Sequence, residues 1–335
     1  MRTTVSQIAK VAGLSTATVD RVLNNRLGVK VRTREIVMHT ASQLGYFGPI
    51  EADTPADIRM DFMLPAGNNT FMVLLRKFIL EEAHSYGGVS PNLHLYEGLE
   101  PDKLSAKLLA LEGSTDAIAV VVPDHPAVRE AINRLAARGI HVGTFVSDLP
   151  LVEKVGYVGI DNRAAGRLAG LLLGRFLKDD RNHNVAVFIG SASYRGHEER
   201  EMGFRAILAQ EHPNLRISHT IQVNDDRDRA YEETRQLLQS DPPGAIYNIG
   251  SGNQGISRAL QESGASKNIV FIAHDLTEAT KMMLLDRTLD AIIDQNPRVE
   301  AREIIKLLSS AVRGSREPEY PPRLQVVFRE NIPPV

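Results

Sequence analysis

Residues 4–24 read TVSQIAKVAGLSTATVDRVLN, and this stretch decides how the head of the chain folds. Thr4 and Gln7 have the spacing of a capping box, in which both side chains bind free N–H groups at the start of a helix. Gly13 suits the left-handed conformation that ends a helix, and Ser15 can cap a second one. Two short helices joined by a tight turn predict a helix-turn-helix.

A third helix and a basic charge extend this head. The segment 31–44 has apolar side chains at Ile36, Val37 and Leu44, which we expect to close a small three-helix core. Residues 1–50 carry seven basic and two acidic side chains, whereas the remaining residues carry 32 basic and 39 acidic ones. A basic head on an acidic body predicts a polyanionic partner for the head alone.

The second helix is the candidate for reading DNA. In a helix-turn-helix, the start of that helix meets base edges in the major groove. Arg21 lies one turn beyond the start and can donate two parallel hydrogen bonds to a guanine. The side chains expected to contact double-stranded DNA lie near the ends of the three helices and in the loop before the third, namely Thr4, Ser15, Thr16, Ala17, Thr18, Arg21, Asn24, Asn25, Lys30 and Thr33.

The head as a whole resembles the DNA-binding head of the LacI (lac repressor) family. The matching elements are spread over residues 4–46 and comprise Ile8–Gly13, Ser15, Thr18-Val19, Arg21–Asn24, Val29, Thr33–Glu35 and Leu44–Tyr46. The resemblance implies a sequence-specific transcriptional regulator that binds operator DNA, and we expect a repressor. It also implies a homodimer, because a two-fold dimer of heads matches a palindromic operator.

Two features depart from the family pattern. Asp20 stands where the family usually has Ser, and a carboxylate cannot donate a hydrogen bond to a phosphate. Residues 48–57 read GPIEADTPAD, where the family usually has a hinge helix whose Leu wedges into the minor groove. A Gly, two Pro and three acids predict a flexible linker, in which Ile50 is the only candidate wedge. We therefore expect major-groove reading with little bending at the operator centre.

Beyond the linker, short apolar runs such as Ala117–Val122 alternate with amphipathic stretches such as Pro126–Arg138. This alternation predicts parallel sheets with helices on both faces. The body also resembles the periplasmic-binding-protein type I-like effector domain of the same family, with matching runs at 157–162, 200–204 and 291–297. The expected fold class is an all-α helix-turn-helix head followed by an α/β body of two lobes.

The expected domain boundaries follow from these patterns. We place the helix-turn-helix domain at 1–47, the linker at 48–57 and the effector-binding domain at 58–335. The resemblance implies that the chain crosses between the lobes three times, near 160–163, 290–293 and 320–326. Each lobe is then discontinuous, and the expected lobes comprise about 58–160 plus 293–320 and about 161–290 plus 325–335.

Polar and aromatic side chains follow several predicted strands, where ligands bind in folds of this class. An aromatic face suits the C–H face of a sugar ring, and amides and carboxylates suit its hydroxyl groups. Arg200 matches the cleft arginine of the resembled family. Because Arg200 and His274 can carry positive charge, the ligand can be a sugar acid as well as a neutral sugar or polyol. The residues expected to bind the ligand are Asn69, Phe71, Asp148, Tyr194, Arg200, Asn248, Asn253, His274, Asp275 and Gln295.

Several classes of function have no motif in this sequence. The chain has no cysteine, which excludes disulfides and thiolate metal sites. The ten His have no metal-ligand spacing, and no phosphate-binding loop, GxGxxG or GxSxG motif is present. The run GSGNQG at 250–255 fits neither nucleotide fingerprint and is interpreted as a strand-to-helix turn beside the cleft. We expect no cofactor, no metal and no enzymatic activity.

The sequence also bears on location and on the rival functions. No apolar run approaches the ~18 residues of a membrane span, and no secretory signal is visible, so we expect a cytoplasmic protein. The alternative is a cytosolic sugar-binding or sugar-modifying α/β protein, whose acid–base pair would come from Asp148, Asp161 or Asp275.

Three glycines spaced four residues apart, Gly166, Gly170 and Gly174, form a stripe along one predicted helix. Such a stripe predicts close packing of two helices.

Overall fold

A computed structural model describes residues 4–23, 29, 31–44, 57–67, 69–98, 100–178, 181, 183–315 and 322–333. The chain divides into two compact units, Met1–Asp57 and Ile58–Val335. Residues 48–56 of the predicted linker at 48–57, including Ile50, lie outside the described residues, as do the candidate DNA contacts Asn24, Asn25 and Lys30.

The first unit contains three helices, α1 (Val5–Ala12), α2 (Thr16–Leu23) and α3 (Val31–Gln43). The predicted capping box is confirmed, since the Gln7 amide donates to the Thr4 hydroxyl at 3.4 Å and the Thr4 amide donates to Gln7 Oε1 at 2.8 Å. Gly13 ends α1 in the left-handed conformation, with φ of 66°. Helix α1 therefore begins and ends where local chemistry places it.

The core of this unit is small and differs at one position from the prediction. Ile8, Val19, Val22 and Val37 are buried together with Ala41. Ile36 was expected in this core but is 44% exposed. Neighbouring positions on a helix point about 100° apart, and the buried face of α3 passes through Val37.

The second unit has two sheets, and the first contains five parallel strands in the order β2-β1-β3-β4-β5. These strands are β1 (Ile58–Pro65), β2 (Val89–Tyr96), β3 (Ala117–Val120), β4 (His141–Phe145) and β5 (Gly156–Val158). The connecting helices are α4 (Thr70–Tyr86), α5 (Pro101–Leu109) and α6 (Pro126–Ala137). Hydrophobic clusters cover both faces of the sheet, which explains the nearly continuous apolar run of its central strands.

The second sheet has six strands in the order β11-β10-β9-β8-β6-β7, and only the β10–β11 pair is antiparallel. Its strands are β6 (His183–Ile189), β7 (Leu215–Gln222), β8 (Ala245–Asn248), β9 (Val270–His274), β10 (Ala291–Asp294) and β11 (Gln325–Val327). Its helices are α7 (Asn162–Phe176), α8 (Arg195–Glu211), α9 (Arg227–Ser240), α10 (Asn253–Glu262) and α11 (Glu278–Leu285). The predicted fold class is confirmed, and each sheet forms one lobe.

Each lobe is built from segments that are not continuous in sequence, as the resemblance implied. The last helix, α12 (Pro297–Val312), follows β10 of the second sheet but packs its Ala301 and Ile305 into the core of the first. The crossing expected near 290–293 is therefore wrong by a few residues: Ala291–Asp294 forms β10, and the chain leaves the second lobe after Asp294. Each residue of β10 is buried between neighbouring strands, which fixes it in that sheet.

The glycine stripe in α7 brings two helices into close contact, as predicted. A Cβ atom at Gly166 would lie 1.9 Å from the carbonyl oxygen of Arg200 on α8, and one at Gly170 would lie 2.3 Å from Ile207. A Cβ atom at Gly203 on α8 would lie 2.0 Å from the carbonyl oxygen of Arg163. The helices approach backbone to backbone, and this contact sets the position of Arg200. Among the described residues, no helix is long and apolar enough to span a membrane.

Candidate ligand-binding cleft and DNA-contacting face

A cavity of about 460 Å³ lies between the two lobes, at the carboxyl ends of their strands. The first lobe supplies an apolar wall that includes Phe71, Met72, Tyr96 and Val121. The second lobe supplies most of the polar groups, from the loops that follow β6 to β10. The carboxyl ends of parallel strands meet at one edge of each sheet, so two such edges face each other across the cavity.

Arg200 is the centre of the polar network in this cavity. Its side chain is buried, and its three guanidinium nitrogens donate to three different segments of the chain. Nε donates to Asn162 Oδ1 at 2.8 Å, Nη1 to the Ile249 carbonyl at 2.9 Å and Nη2 to Gln295 Oε1 at 3.3 Å. A guanidinium has five N–H groups, so two remain for a ligand.

Asp275 continues this network. Its Oδ1 accepts from Gln295 Nε2 at 2.8 Å, so Gln295 bridges the carboxylate and the guanidinium of Arg200. Burial raises the pKa of Asp275 to about 6, against the opposing effect of Arg200. The backbone of Asp275 is left-handed, with φ of 72°, a conformation that Asp tolerates better than most residues. The result is a fixed donor–acceptor pair that can bind the hydroxyl groups of a ligand.

Contacts between the lobes close one side of the cavity. Tyr194, before α8, has its hydroxyl 2.9 Å from the hydroxyl of Tyr96 in the first lobe, and Tyr96 donates to the Val121 carbonyl at 2.9 Å. The Asp124 amide donates to the Ser193 carbonyl at 2.8 Å. These bonds link loops of both lobes, so the structure has the lobes drawn together on this side.

Six of the ten predicted ligand residues line the cavity. They are Asn69, Phe71, Tyr194, Arg200, Asp275 and Gln295. Asn69 also caps α4, because its Oδ1 accepts from the Phe71 amide at 3.0 Å. Its amide nitrogen remains as a hydrogen-bond donor at the cavity wall.

The other four predicted residues do not line this cavity, and each is engaged elsewhere. Asp148 binds Lys154 and accepts from the Thr144 hydroxyl at 2.6 Å. His274 is buried, with Nε2 2.8 Å from the Tyr247 hydroxyl. Asn248 and Asn253 bind each other at 2.7 Å, and Asn253 also donates to the His274 carbonyl. Asn248 Oδ1 and His274 Nδ1 are buried without a hydrogen-bond partner among the described residues, but neither side chain lines the cavity.

The structure adds residues that the sequence did not single out, among them Tyr96, Asn224 and Asp225. Tyr96 is the last residue of β2, and Asn224 and Asp225 follow β7; both strands are edge strands with half-exposed side chains. An edge strand need not be a continuous apolar run, so neither strand was recognised. The polar run Asn224–Asp226 after an alternating stretch was the signal that could have identified this site.

His197 also lines the cavity, one turn before Arg200 on α8. Its Nδ1 lies 3.1 Å from the Ser191 amide nitrogen and 3.0 Å from the Ser191 carbonyl oxygen. Burial lowers the pKa of His197, so the imidazole is neutral at physiological pH. It therefore adds hydrogen-bonding capacity to the cavity without adding a positive charge.

The described part of the head presents an exposed face on α2. Thr16, Ala17 and Arg21 are exposed, on the side away from the buried Val19 and Val22.

The remaining candidates in the head have structural contacts. Ser15 caps α2, since its hydroxyl accepts from the Thr18 amide at 3.1 Å and lies 2.8 Å from the Thr18 hydroxyl. Thr4 caps α1, and Thr33 is half-buried in α3. The contacts of Thr16, Ala17 and Arg21 with base edges stay predictions.

Comparison with protein families assigns both units. The family described as "Bacterial regulatory proteins, lacI family" matches residues 4–48, and the family described as "Periplasmic binding protein domain" matches residues 60–316. The HTH-type transcriptional regulator DegA of Bacillus subtilis (strain 168) is 28% identical over 253 residues, covering 74% of this chain and 73% of DegA. Catabolite control protein A of Priestia megaterium is 23% identical over 292 residues, covering 84% of this chain and 85% of that protein.

Solved structures share the fold of the body. GanP, a glucose-galactose binding protein from Geobacillus stearothermophilus, superposes with a TM-score of 0.73 at 22% identity, covering 82% of this chain and 99% of its own. The Caulobacter myo-inositol binding protein superposes with a TM-score of 0.74 at 20% identity, covering 82% and 94%. With a matching head, a matching body and regulators as relatives, the chain belongs to the LacI family of bacterial transcriptional regulators, in which a helix-turn-helix head is joined to a periplasmic-binding-protein-like body.

Proposed function

We propose that this regulator binds its operator as a homodimer and acts as a repressor in the cytoplasm. A small sugar, polyol or sugar acid, held in the cavity between the lobes, controls its affinity for the operator. The observation that carries this proposal is the Arg200–Gln295–Asp275 network, which lines a cavity of about 460 Å³. The protein binds this ligand without converting it.

The chemistry of the cavity supports a hydroxylated ligand. Its polar wall offers carboxylates, amides and a guanidinium, and its other wall offers the aromatic rings of Phe71 and Tyr96. Solved structures with this fold are described as binding glucose and galactose, D-arabinose or myo-inositol. These ligands share a ring of hydroxyl groups and an apolar face, which the two walls complement.

Control of DNA binding requires that the ligand favour one arrangement of the lobes. The cavity draws Asn69 and Phe71 from the first lobe and Arg200 and Asp275 from the second. A ligand that contacts both groups stabilises the closed arrangement. In the described part of the chain, the backbone passes between the lobes after β5 and again after β10, so we expect ligand binding to change the angle between the lobes.

The proposed homodimer is supported by apolar side chains left exposed on helices of the body. Val73 and Leu80 on α4 are each 47% exposed, and Met282 on α11 is 61% exposed. Val73 and Leu80 lie two turns apart on the same helix, and exposed apolar patches mark association sites in many soluble proteins. Sedimentation velocity on the full chain should give the mass of a dimer, and a monomer at micromolar concentration would contradict this part of the proposal.

The function is tested by pairing a ligand screen with operator binding. The full chain is screened by thermal shift against D-glucose, D-galactose, D-allose, D-arabinose, myo-inositol, D-glucuronate and D-galacturonate. A ligand at 100 times its Kd stabilises the protein by about 2.7 kcal/mol, enough to raise Tm by several degrees. A ligand that raises Tm should also change the affinity for an operator selected from random DNA. No shift with any of these compounds, or turnover of one of them, would overturn the proposal.

Arg21→Ala should weaken operator binding by about 1–3 kcal/mol, because a bidentate bond to guanine is lost. Arg21 is exposed, so the fold of the head should not change. A gel-shift titration on the operator, on single-base variants and on random DNA measures the effect. We expect preference to relax at one base pair only. An equal loss on operator and on random DNA would show that Arg21 contacts phosphate instead.

Ligand affinity should fall about tenfold between pH 7 and pH 5. Burial raises the pKa of Asp275 to about 6. Ligand hydroxyls donate to the ionised carboxylate, so the ligand prefers the ionised form, and protonation below this pKa competes with binding. Calorimetric titration across this range measures how ligand affinity depends on pH. The control is Asp275→Asn, which should bind the ligand more weakly and show no such dependence on pH. The same dependence in the control would contradict the assignment to Asp275.

A further inference from the structure

The loop after β7 brings a carboxylate to the cavity that none of the sequence motifs indicated. Asn224 and Asp225 both adopt left-handed backbone conformations, with φ of 54° and 58°. Asp225 lines the cavity beside Asp275 and Arg200. The β7 strand forms the edge of the second sheet next to β6, so this loop reaches the end of the cavity wall formed by the second lobe.

The structure provides a fitted niche for this carboxylate. Oδ1 of Asp225 accepts from the Ser251 amide at 2.7 Å. A Cβ atom at Gly190 would lie 2.1 Å from this oxygen, and one at Gly250 would lie 2.7 Å from it. Glycines that follow β6 and β8 therefore leave room for Asp225. Its second oxygen, Oδ2, has no hydrogen-bond partner among the residues that the structure describes, and so remains available to a ligand.

Negatively charged side chains outnumber positively charged ones among the described residues that line the cavity. Of the described residues that line it, Asp225, Asp226 and Asp275 carry carboxylates, and Arg200 carries the one guanidinium. His197 lies close to Asp225 but is neutral, because burial lowers its pKa. An anion placed near Arg200 also meets Asp275, since Gln295 ties the two together. The cavity is therefore negative overall at neutral pH.

We propose that Asp225 determines the charge selectivity of the cavity, so that a neutral sugar or polyol is admitted and its carboxylate counterpart is rejected. This inference rests on the proposed function of the cleft and narrows it. A neutral ring donates hydroxyl hydrogens to Asp225 and Asp275, whereas the carboxylate of a sugar acid is repelled by both. The sugar acid that the sequence left open is thereby excluded.

The test compares neutral sugars with their acids on the full chain at pH 7.5, where the carboxylates are ionised. Isothermal titration with D-glucose, D-galactose, D-allose, D-arabinose and myo-inositol is set beside D-glucuronate and D-galacturonate. We expect the tightest neutral ligand to bind at least tenfold more strongly than either acid. Asp225→Asn keeps an oxygen for the Ser251 amide and should shift the ratio at least tenfold toward the acids.

Asp228→Asn is the matched control, because it removes the same charge three residues away. Asp228 is exposed in the first turn of α9 and does not line the cavity, so its removal should change the ratio less than threefold. An acid that binds the unaltered chain as tightly as the neutral sugars would overturn the inference and leave the proposed function standing. An Asp225→Asn variant with an unchanged ratio, or without detectable acid binding, would overturn the role of Asp225. Binding of none of these compounds would instead reject the proposed function itself.

Discussion

Gly166→Ala should destabilise the two-lobed body by about 3 kcal/mol, the upper part of the range for overpacked cores. The new methyl group would lie 1.9 Å from the carbonyl oxygen of Arg200, which belongs to the backbone of α8 and cannot rotate away. The helices α7 and α8 must then separate, although Ala gains about 1 kcal/mol of helix propensity over Gly. Because Arg200 moves with α8, ligand binding should be lost together with stability.

Gly174→Ala is the matched control on the same helix. There the new methyl group meets the ring of His212, a side chain that can move, at 2.3 Å. The gain in helix propensity should offset most of this strain. Urea unfolding of the full chain, followed by circular dichroism, compares the two variants. Equal midpoints for Gly166→Ala and Gly174→Ala would contradict the backbone contact between α7 and α8.

Arg200→Ala should reduce ligand affinity at least about a hundredfold and abolish the response of operator binding to the ligand. The change leaves three buried acceptors without a donor, on Asn162, Ile249 and Gln295. Each unsatisfied acceptor costs about 1–3 kcal/mol, so the wall of the cavity rearranges. Gln295 would no longer hold Asp275 in place. Arg200→Lys should fail as well, because an ammonium group cannot reach three separated acceptors.

Arg195→Ala is the matched control for this experiment. Arg195 lies on the same helix and pairs with Glu199 at 3.0 Å, a half-exposed pair four residues apart on a helix, of a kind worth about 0.3–0.5 kcal/mol. Thermal shift with the ligand and gel shift with the operator are measured on both variants. Operator binding without ligand should persist in each. A ligand-induced shift in Arg200→Ala equal to that in Arg195→Ala would show that the site lies elsewhere.

Local features explain why much of the architecture could be predicted. The capping box at Thr4 and Gln7, and the stop at Gly13, depend on side chains within one turn of the helix that they bound. Central strands such as Ala117–Val120 are covered on both faces. Nearly all of their side chains are therefore apolar, and they can be recognised in the sequence as apolar runs. The glycine stripe of α7 also predicted a close contact between two helices, because only a small residue permits such a contact.

The composition of the cavity was less accessible from the sequence. Asp148 follows a strand as a ligand residue should, but the nearby Lys154 occupies its carboxylate. His274 and Asp275 are neighbours at the end of β9, and only Asp275 faces the cavity, while His274 binds Tyr247 in the core. His274 is the last residue of β9, whereas Asp275 follows the strand in a left-handed conformation, so a one-residue difference decides which side chain faces the cavity.

The sequence by itself determined the three helices of the head, the parallel two-sheet body and the family to which both belong. These depend on caps, glycines and apolar periods that act within a few residues of the chain. Only the tertiary structure decided which polar groups meet in the cleft. Asp225 reaches it because β7 pairs with β6 at the edge of the second sheet, and Gln295 reaches it because the chain turns back to the first lobe after Asp294. Residues far apart in sequence are brought together by the order of the strands and by the passage of the chain between the lobes. No local sequence pattern encodes either of these.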